Sequence, residues 1–215
     1  MINIMVVDDH FLIRTGLTRM LNEQKGIRVI AEAESGEQAL ELAREQEPDI
    51  VLMDVRMPGM GGLDATRRLV KQYEGIKIIV LTVCEEEPFP SRMLRAGAVG
   101  YLTKGADMEE MLRAIRVVQA GQRYISPRIA QQMALRPYNG NEDTPLDLLS
   151  SRELQVMMMI VSCKKVQEIS DQLCVSPKTV NTYRYRIFDK LQVNSDVELT
   201  LLALRHGMLD ADMAV

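Results

Sequence analysis

Histidine and cysteine are scarce in this chain, with two and three residues respectively among 215. His10 and His206 stand too far apart in sequence for a histidine-based metal site. Cys84, Cys163 and Cys174 are odd in number and no two are closely spaced. That excludes a CxxC redox or metal motif and suits a reducing cytoplasm, with three ordinary thiols expected in or near cores. No apolar run approaches the roughly 20 residues needed to cross a bilayer, so neither a span nor direct membrane binding is expected. The N-terminal MINIMVVDDHF has no basic leader or small-residue cleavage site, so it does not read as a signal peptide. Internal repeats and low-complexity tracts are missing as well. Positive charge is not in excess either: a net charge of -4 argues against a generic polyanion binder. Basic charge gathers only locally, where Lys178, Arg184, Arg186 and Lys190 face Asp189 alone.

What is present is an ordinary globular balance, 47% apolar and 26% charged, in a length that allows one or two domains. Short apolar runs at 3–7, 27–31, 49–53, 77–81 and 99–102 alternate with helical patterns near 12–21, after Ser35 through Ala39, Leu40 and Ala43, near 63–73, from about Pro90, and over 107–120. Ser35 with Gln38 reads as a capping box, and Gly121 closes the last helix. Strands alternating with helices predict an α/β domain, a doubly wound five-stranded parallel sheet covered on both faces. Ser126 and Pro127 mark one further short helix, and the composition of 135–147 (LRPYNGNEDTPLD) is that of a linker. Residues 150–207 read as four helices without a strand. The expected division is therefore 1–121, a short helix and linker over 122–147, and a small all-α domain over 148–215.

In open parallel sheets, ligands bind beyond the carboxyl ends of the strands where strand order switches. Asp8 and Asp9 follow the first strand, Asp54 follows the third, Thr82 ends the fourth and Lys104 follows the fifth. Clustered carboxylates need a compensating cation, and an all-oxygen set suits Mg2+. Asp54 can then act as a nucleophile toward a phosphoryl group, with Lys104 stabilising the transferring oxygens and the Thr82 hydroxyl meeting the phosphoryl group once attached. Alone, each residue has a plainer reading: a helix cap for Asp8 or Asp9, a strand residue for Thr82 or Tyr101, a solvated lysine for Lys104. Their joint placement at one sheet edge outweighs those readings.

The C-terminal region carries a second pattern. Ser150 with Glu153 starts one helix, a second spans about 165–173, and CVSP leads into a third with Ser176 as cap and Pro177 in its first turn. Two short helices joined by a tight turn form a helix-turn-helix, whose second helix enters the major groove. Val180, Ile187 and Leu191 define its packed stripe, while Lys178, Asn181, Thr182 and Tyr185 lie opposite, flanked by Arg184 and Arg186. Thr179 and, from the preceding helix, Lys165 complete the candidate DNA contacts. Asn and Thr can read adenine and thymine edges, and the cations can hold phosphates. The run Met157, Met158 and Met159 reads as gap-filling core.

The motifs DD at 8–9, MDVRMPGMGG around Asp54, LT at 81–82 and YLTKG around Lys104 resemble the flavodoxin-like receiver domain of bacterial response regulators. The segments LSSRELQV and VQEISDQLCVSPKTVNTYRYRIFDKL resemble the LuxR/FixJ (NarL-type) four-helix DNA-binding domain. The resemblance implies that Asp54 is the phosphoacceptor and that Asp9, Asp54 and the Arg56 carbonyl contact Mg2+, with Asp8 assisting. It casts Tyr101 as an aromatic switch moving with Thr82. Gly105 replaces the family's usual proline, and Arg56 places a long cation two residues beyond the acceptor. VDDHFLIRTGL, MDVRMPG and SPKTVNTYRYRIF resemble the GacA/UvrY/SirA group in particular. That likeness implies a membrane histidine kinase partner of the GacS/BarA type, double-stranded promoter DNA as a second partner, a homodimer when active, and activation of small regulatory RNA genes. Two other readings stay open: a Mg-dependent phosphohydrolase, and a DNA-binding protein with a vestigial receiver.

Overall fold

The computed structural model describes residues 1–84, 88–135, 145–206 and 208, which fall into two compact units. The first is an α/β unit. Its strands are β1 (Ile2–Val7), β2 (Ile27–Ala33), β3 (Ile50–Met53), β4 (Lys77–Thr82), β5 (Gly100–Thr103) and β6 (Tyr124–Ile125). They form one sheet in the order β2-β1-β3-β4-β5-β6, and every pairing is parallel. Each residue of β3 is buried, as a strand covered on both faces must be. The helices α1 (Phe11–Asn22), α2 (Gly36–Gln46), α3 (Gly61–Gln72), α4 (Phe89–Arg95) and α5 (Met108–Gln119) follow β1 to β5 in turn, and α6 (Pro127–Leu135) follows β6. Ile4, Val6, Leu52, Ile79 and Leu102 of the sheet share a core with Leu21 and Ile115 of the helices.

The sheet has six strands where the sequence pattern predicts five. Tyr124 and Ile125 pair with Gly100 and Tyr101 after Gly121 turns the chain in the left-handed region (φ 82°). A strand of two residues is too short to show any periodicity, which is why the pattern passes over it. The expected capping box at α2 forms only in part. Ser35 Oγ accepts the Gln38 N–H (3.2 Å), but Gln38 Oε1 accepts from Glu34 N–H (2.8 Å), one residue before the cap. At α6 the proline supplies the start signal: Ser126 Oγ is buried without a hydrogen-bond partner among the described residues, so it does not cap. The linker expected over 135–147 lies largely outside the described residues.

The second unit is all-helical, with a short 3-10 turn (Pro145–Leu148) before α7 (Ser151–Val161), α8 (Val166–Gln172), α9 (Pro177–Leu191) and α10 (Asp196–Arg205). Val156, Met157, Ile169, Val180, Ile187 and Leu199 are buried in its centre; of the methionine run, Met157 and Met158 fill core space while Met159 is half-buried. The cysteines correct the expectation of three core thiols. Cys84 is buried, but Cys163 and Cys174 are exposed, at φ 59° and 52°. Each ends a helix in the left-handed residue where glycine is usual, and the following N–H closes back onto the helix (Lys164 to the Met159 carbonyl, Val175 to the Ser170 carbonyl, both 3.1 Å).

Candidate functional site

Strand order reverses between β1 and β3, and the exits of these strands lie side by side. Backbone bonds fix three exits in register: Asp8 N–H to the Ala33 carbonyl (3.0 Å), Asp54 N–H to the Val7 carbonyl (2.9 Å) and Lys104 N–H to the Thr82 carbonyl (2.9 Å). Asp8, Asp54 and Thr82 are buried, at 2%, 3% and 0% exposure. Lys104 Nζ stands 2.7 Å from both Asp54 Oδ2 and Asp8 Oδ2, a single cation between two buried carboxylates. The other Asp54 oxygen accepts the N–H groups of Val55 (2.7 Å) and Arg56 (3.4 Å). Both acceptor oxygens therefore meet donors before any ligand arrives.

Burial pushes the Asp54 carboxyl up from its ordinary value against the opposing pull of Lys104; Asp8 adds to the rise and Thr82 detracts from it. Burial works downward on Lys104, but its two carboxylate partners outweigh that and hold its ammonium above the ordinary range. Asp9 lies at the rim. Its Oδ1 is 3.0 Å from His10 Nδ1 yet accepts no hydrogen bond, leaving a buried carboxylate oxygen without a donor. Ligand atoms of Asp8, Asp9, His10 and Asp54 all lie within 4.8 Å of one another. The three carboxylates of that set, with one oxygen orphaned, fit a divalent cation.

Gly62 at the start of α3 is held against this site. A Cβ there would stand 1.9 Å from the Asp54 carbonyl oxygen, so only glycine lets α3 begin so close to the acceptor. Tyr101 is fully buried, and its hydroxyl donates to the Cys84 carbonyl. Cys84 N–H in turn donates to Thr82 Oγ1 (3.3 Å). Thr82 and Tyr101 thus clasp the two backbone polar groups of one residue just beyond β4. The sequence marks Cys84 only as an ordinary thiol, because its part here is played by the backbone.

In the helical unit, Ser176 Oγ accepts the Thr179 N–H (3.1 Å) and starts α9 one residue before its proline. Ser170 Oγ donates to the Val175 carbonyl (2.6 Å), tying the end of α8 to the turn. Lys178, Thr182, Tyr185 and Arg186 are exposed on α9, Tyr185 at 71%, and Asn181 is half-buried beside them. Lys165 is exposed at the start of α8. Two of the local basic residues are already engaged. Arg184 pairs with Asp196 (2.6 Å) and lies over the Phe188 ring, and Lys190 pairs with buried Glu153 (2.6 Å). Thr179 spends its hydroxyl on Ser176 (2.8 Å).

Residues 4–116 match the family model of the response regulator receiver domain. Residues 147–203 match that of the bacterial regulatory proteins of the luxR family. The chain belongs to the response regulators. Response regulator GacA of Pseudomonas protegens is 62% identical over 213 residues, which cover 99% of this chain and 100% of that relative. Response regulator UvrY of Escherichia coli is 53% identical, covering 99% and 98%. RcsB of Salmonella enterica serovar Typhimurium, solved bound to promoter rprA with the phosphomimetic BeF3-, shares the fold at a TM-score of 0.68. It is 20% identical and covers 94% of this chain and 97% of that one. This response regulator is a regulator of transcription that joins a receiver to a LuxR-type DNA-binding domain, and it is not a conventional enzyme. Among its described residues no helix is long and apolar enough to cross a membrane.

Proposed function

We propose that Asp54 is the phosphoacceptor and that its phosphorylation by a GacS/BarA-like histidine kinase in the cytoplasm controls promoter binding by α9. The observation that carries this reading is the buried triad of Asp8, Asp54 and Lys104 at the strand-order switch. Asp8, Asp9, Asp54 and the Arg56 carbonyl would hold Mg2+, which when bound neutralises charge on the phosphoryl oxygens. An Asp54 carboxylate oxygen attacks phosphorus, and the bond from phosphorus to the donor's nitrogen breaks. Lys104 carries its ion pair over to the incoming phosphoryl oxygens, and the Val55 and Arg56 N–H groups orient the nucleophile. Slow hydrolysis of the acyl phosphate resets the chain.

Once Thr82 turns its hydroxyl to the phosphoryl group, Cys84 N–H loses its acceptor and the clasp with Tyr101 rearranges. Coupling to DNA requires that the phosphate favour this second arrangement. On α9, Lys178 and Arg186 hold phosphates while Asn181, Tyr185 and the methyl of Thr182 face base edges, the Thr182 hydroxyl donating to the Lys178 carbonyl (3.0 Å); Lys165 adds a phosphate contact from α8. Arg184 and Thr179 act by holding α9 in place, since their polar ends are engaged within the unit. The active form is a homodimer on inverted half-sites.

The test is phosphate incorporation from acetyl phosphate and Mg2+, followed by mass spectrometry. Wild type should take up one phosphate and Asp54→Asn none. Uptake by both would transfer the role elsewhere, and rapid turnover of small phosphomonoesters would make the chain a phosphohydrolase.

A further inference from the structure

The tripeptide Asp8-Asp9-His10 puts a nitrogen donor directly after two acids, and the fold turns that donor back toward them. His10 N–H donates to Asp8 Oδ1 (2.9 Å), and Arg14 donates to the Asp8 carbonyl (2.6 Å), which fixes the turn out of β1. Its imidazole Nδ1 lies 3.3 Å from Asp8 Oδ1 and 3.0 Å from Asp9 Oδ1. Neighbouring ligands of an octahedral ion with bonds of roughly 2.1 Å stand roughly 3 Å apart, so these spacings match two edges of such a shell. The contact with Asp9 is off the axis of a hydrogen bond, and Asp9 Oδ1 is buried without one. A hydrogen bond accounts for the approach of Nδ1 to Asp8 Oδ1, but not for its closer approach to Asp9 Oδ1, which a shared cation does.

We propose that His10 Nδ1 is a protein ligand to the divalent cation of the acceptor pocket, giving it a mixed oxygen and nitrogen set. This rests on the reading of that pocket as the cation site of the phosphoacceptor. An all-oxygen set favours Mg2+, whereas an imidazole favours first-row transition ions such as Mn2+, Co2+ and Ni2+. The pocket consequently prefers those ions over Mg2+ through one side chain that takes no part in the phosphoryl transfer. His10 is 63% exposed, so the ring can swing onto an arriving ion and keep its Nε2–H in water. Ligation by Nδ1 uses that tautomer.

The experiment titrates the unphosphorylated full chain with Mg2+ and with Co2+ by calorimetry, and records the visible absorption of the Co2+ form. Wild type, His10→Ala and Asp9→Asn are compared. In His10→Ala the affinity for Co2+ should fall at least roughly tenfold more than that for Mg2+, and the Co2+ absorption should shift as a nitrogen ligand is lost. An unchanged preference together with an unchanged absorption spectrum would overturn the proposal. If Asp9→Asn binds both ions as tightly as wild type, the cation lies elsewhere, and the reading of the pocket falls together with the role of His10. His10 is at the surface, so its replacement leaves the fold intact, which circular dichroism checks.

Discussion

Asp54 is an acid stored where acids are unstable. Burial raises its carboxyl above the ordinary aspartate value in the folded chain. Stability is therefore lost as pH rises through that raised value, because the folded state resists the ionisation that the unfolded chain accepts. Asp54→Asn removes this cost and leaves Lys104 paired with Asp8. The variant should melt higher than wild type at neutral pH, by roughly a few degrees, with the gap closing as pH falls and Asp54 becomes protonated. Calorimetry across the pH range measures it; a variant that melts lower at neutral pH would show that Asp54 stabilises the pocket. Gly62 makes a second residue-scale demand. Gly62→Ala drives a Cβ to 1.9 Å from the Asp54 carbonyl and should cost about 1–3 kcal/mol while slowing phosphate uptake. Denaturant melts read the first effect, and full stability in the variant would show that α3 can retreat at no cost.

At the scale of elements, the helix-turn-helix depends on an ion pair behind it. Glu153 caps α7 through the Ser150 N–H (2.7 Å) and pairs with Lys190 of α9 (2.6 Å), so one carboxylate joins two helices. Burial acts upward on Glu153, but the bonds from Lys190 and Ser150 hold it below the ordinary glutamate value. Its contribution is thus complete above that ordinary value and is lost as pH falls through the lowered one. Glu153→Gln should destabilise the helical unit by about 1–2 kcal/mol at neutral pH, with the difference vanishing in acid. Urea melts at a series of pH values test this, and a gap independent of pH would contradict it. The sequence marks Glu153 only as half of a capping box, because its partner is 37 positions away and local spacing does not reveal such a pair. Ser170 and the backbone role of Cys84 escape notice for a similar reason: each acts through contacts that exist only once the chain has folded. The acidic pocket is legible because strand exits announce themselves as apolar runs ending in polar residues. β6 is not, since two residues carry no period. Arg184 and Lys190 count as free cations in the sequence, and the fold spends both on Asp196 and Glu153.

At the scale of the molecule, two units of different architecture divide the chemistry. The α/β unit concentrates buried charge at one sheet edge, whereas the helical unit presents a mostly exposed polar face on one helix. Neither function needs the other's residues, so the chain regulates only if a change at Asp54 alters the free energy of α9 on DNA. The most direct measurement is the affinity of the full chain for promoter DNA at fixed salt, with and without prior treatment by acetyl phosphate and Mg2+. Treated wild type should bind at least roughly tenfold more tightly, while Asp54→Asn does not change. Equal affinity of treated and untreated wild type, with Asp54 demonstrably phosphorylated, would contradict this coupling.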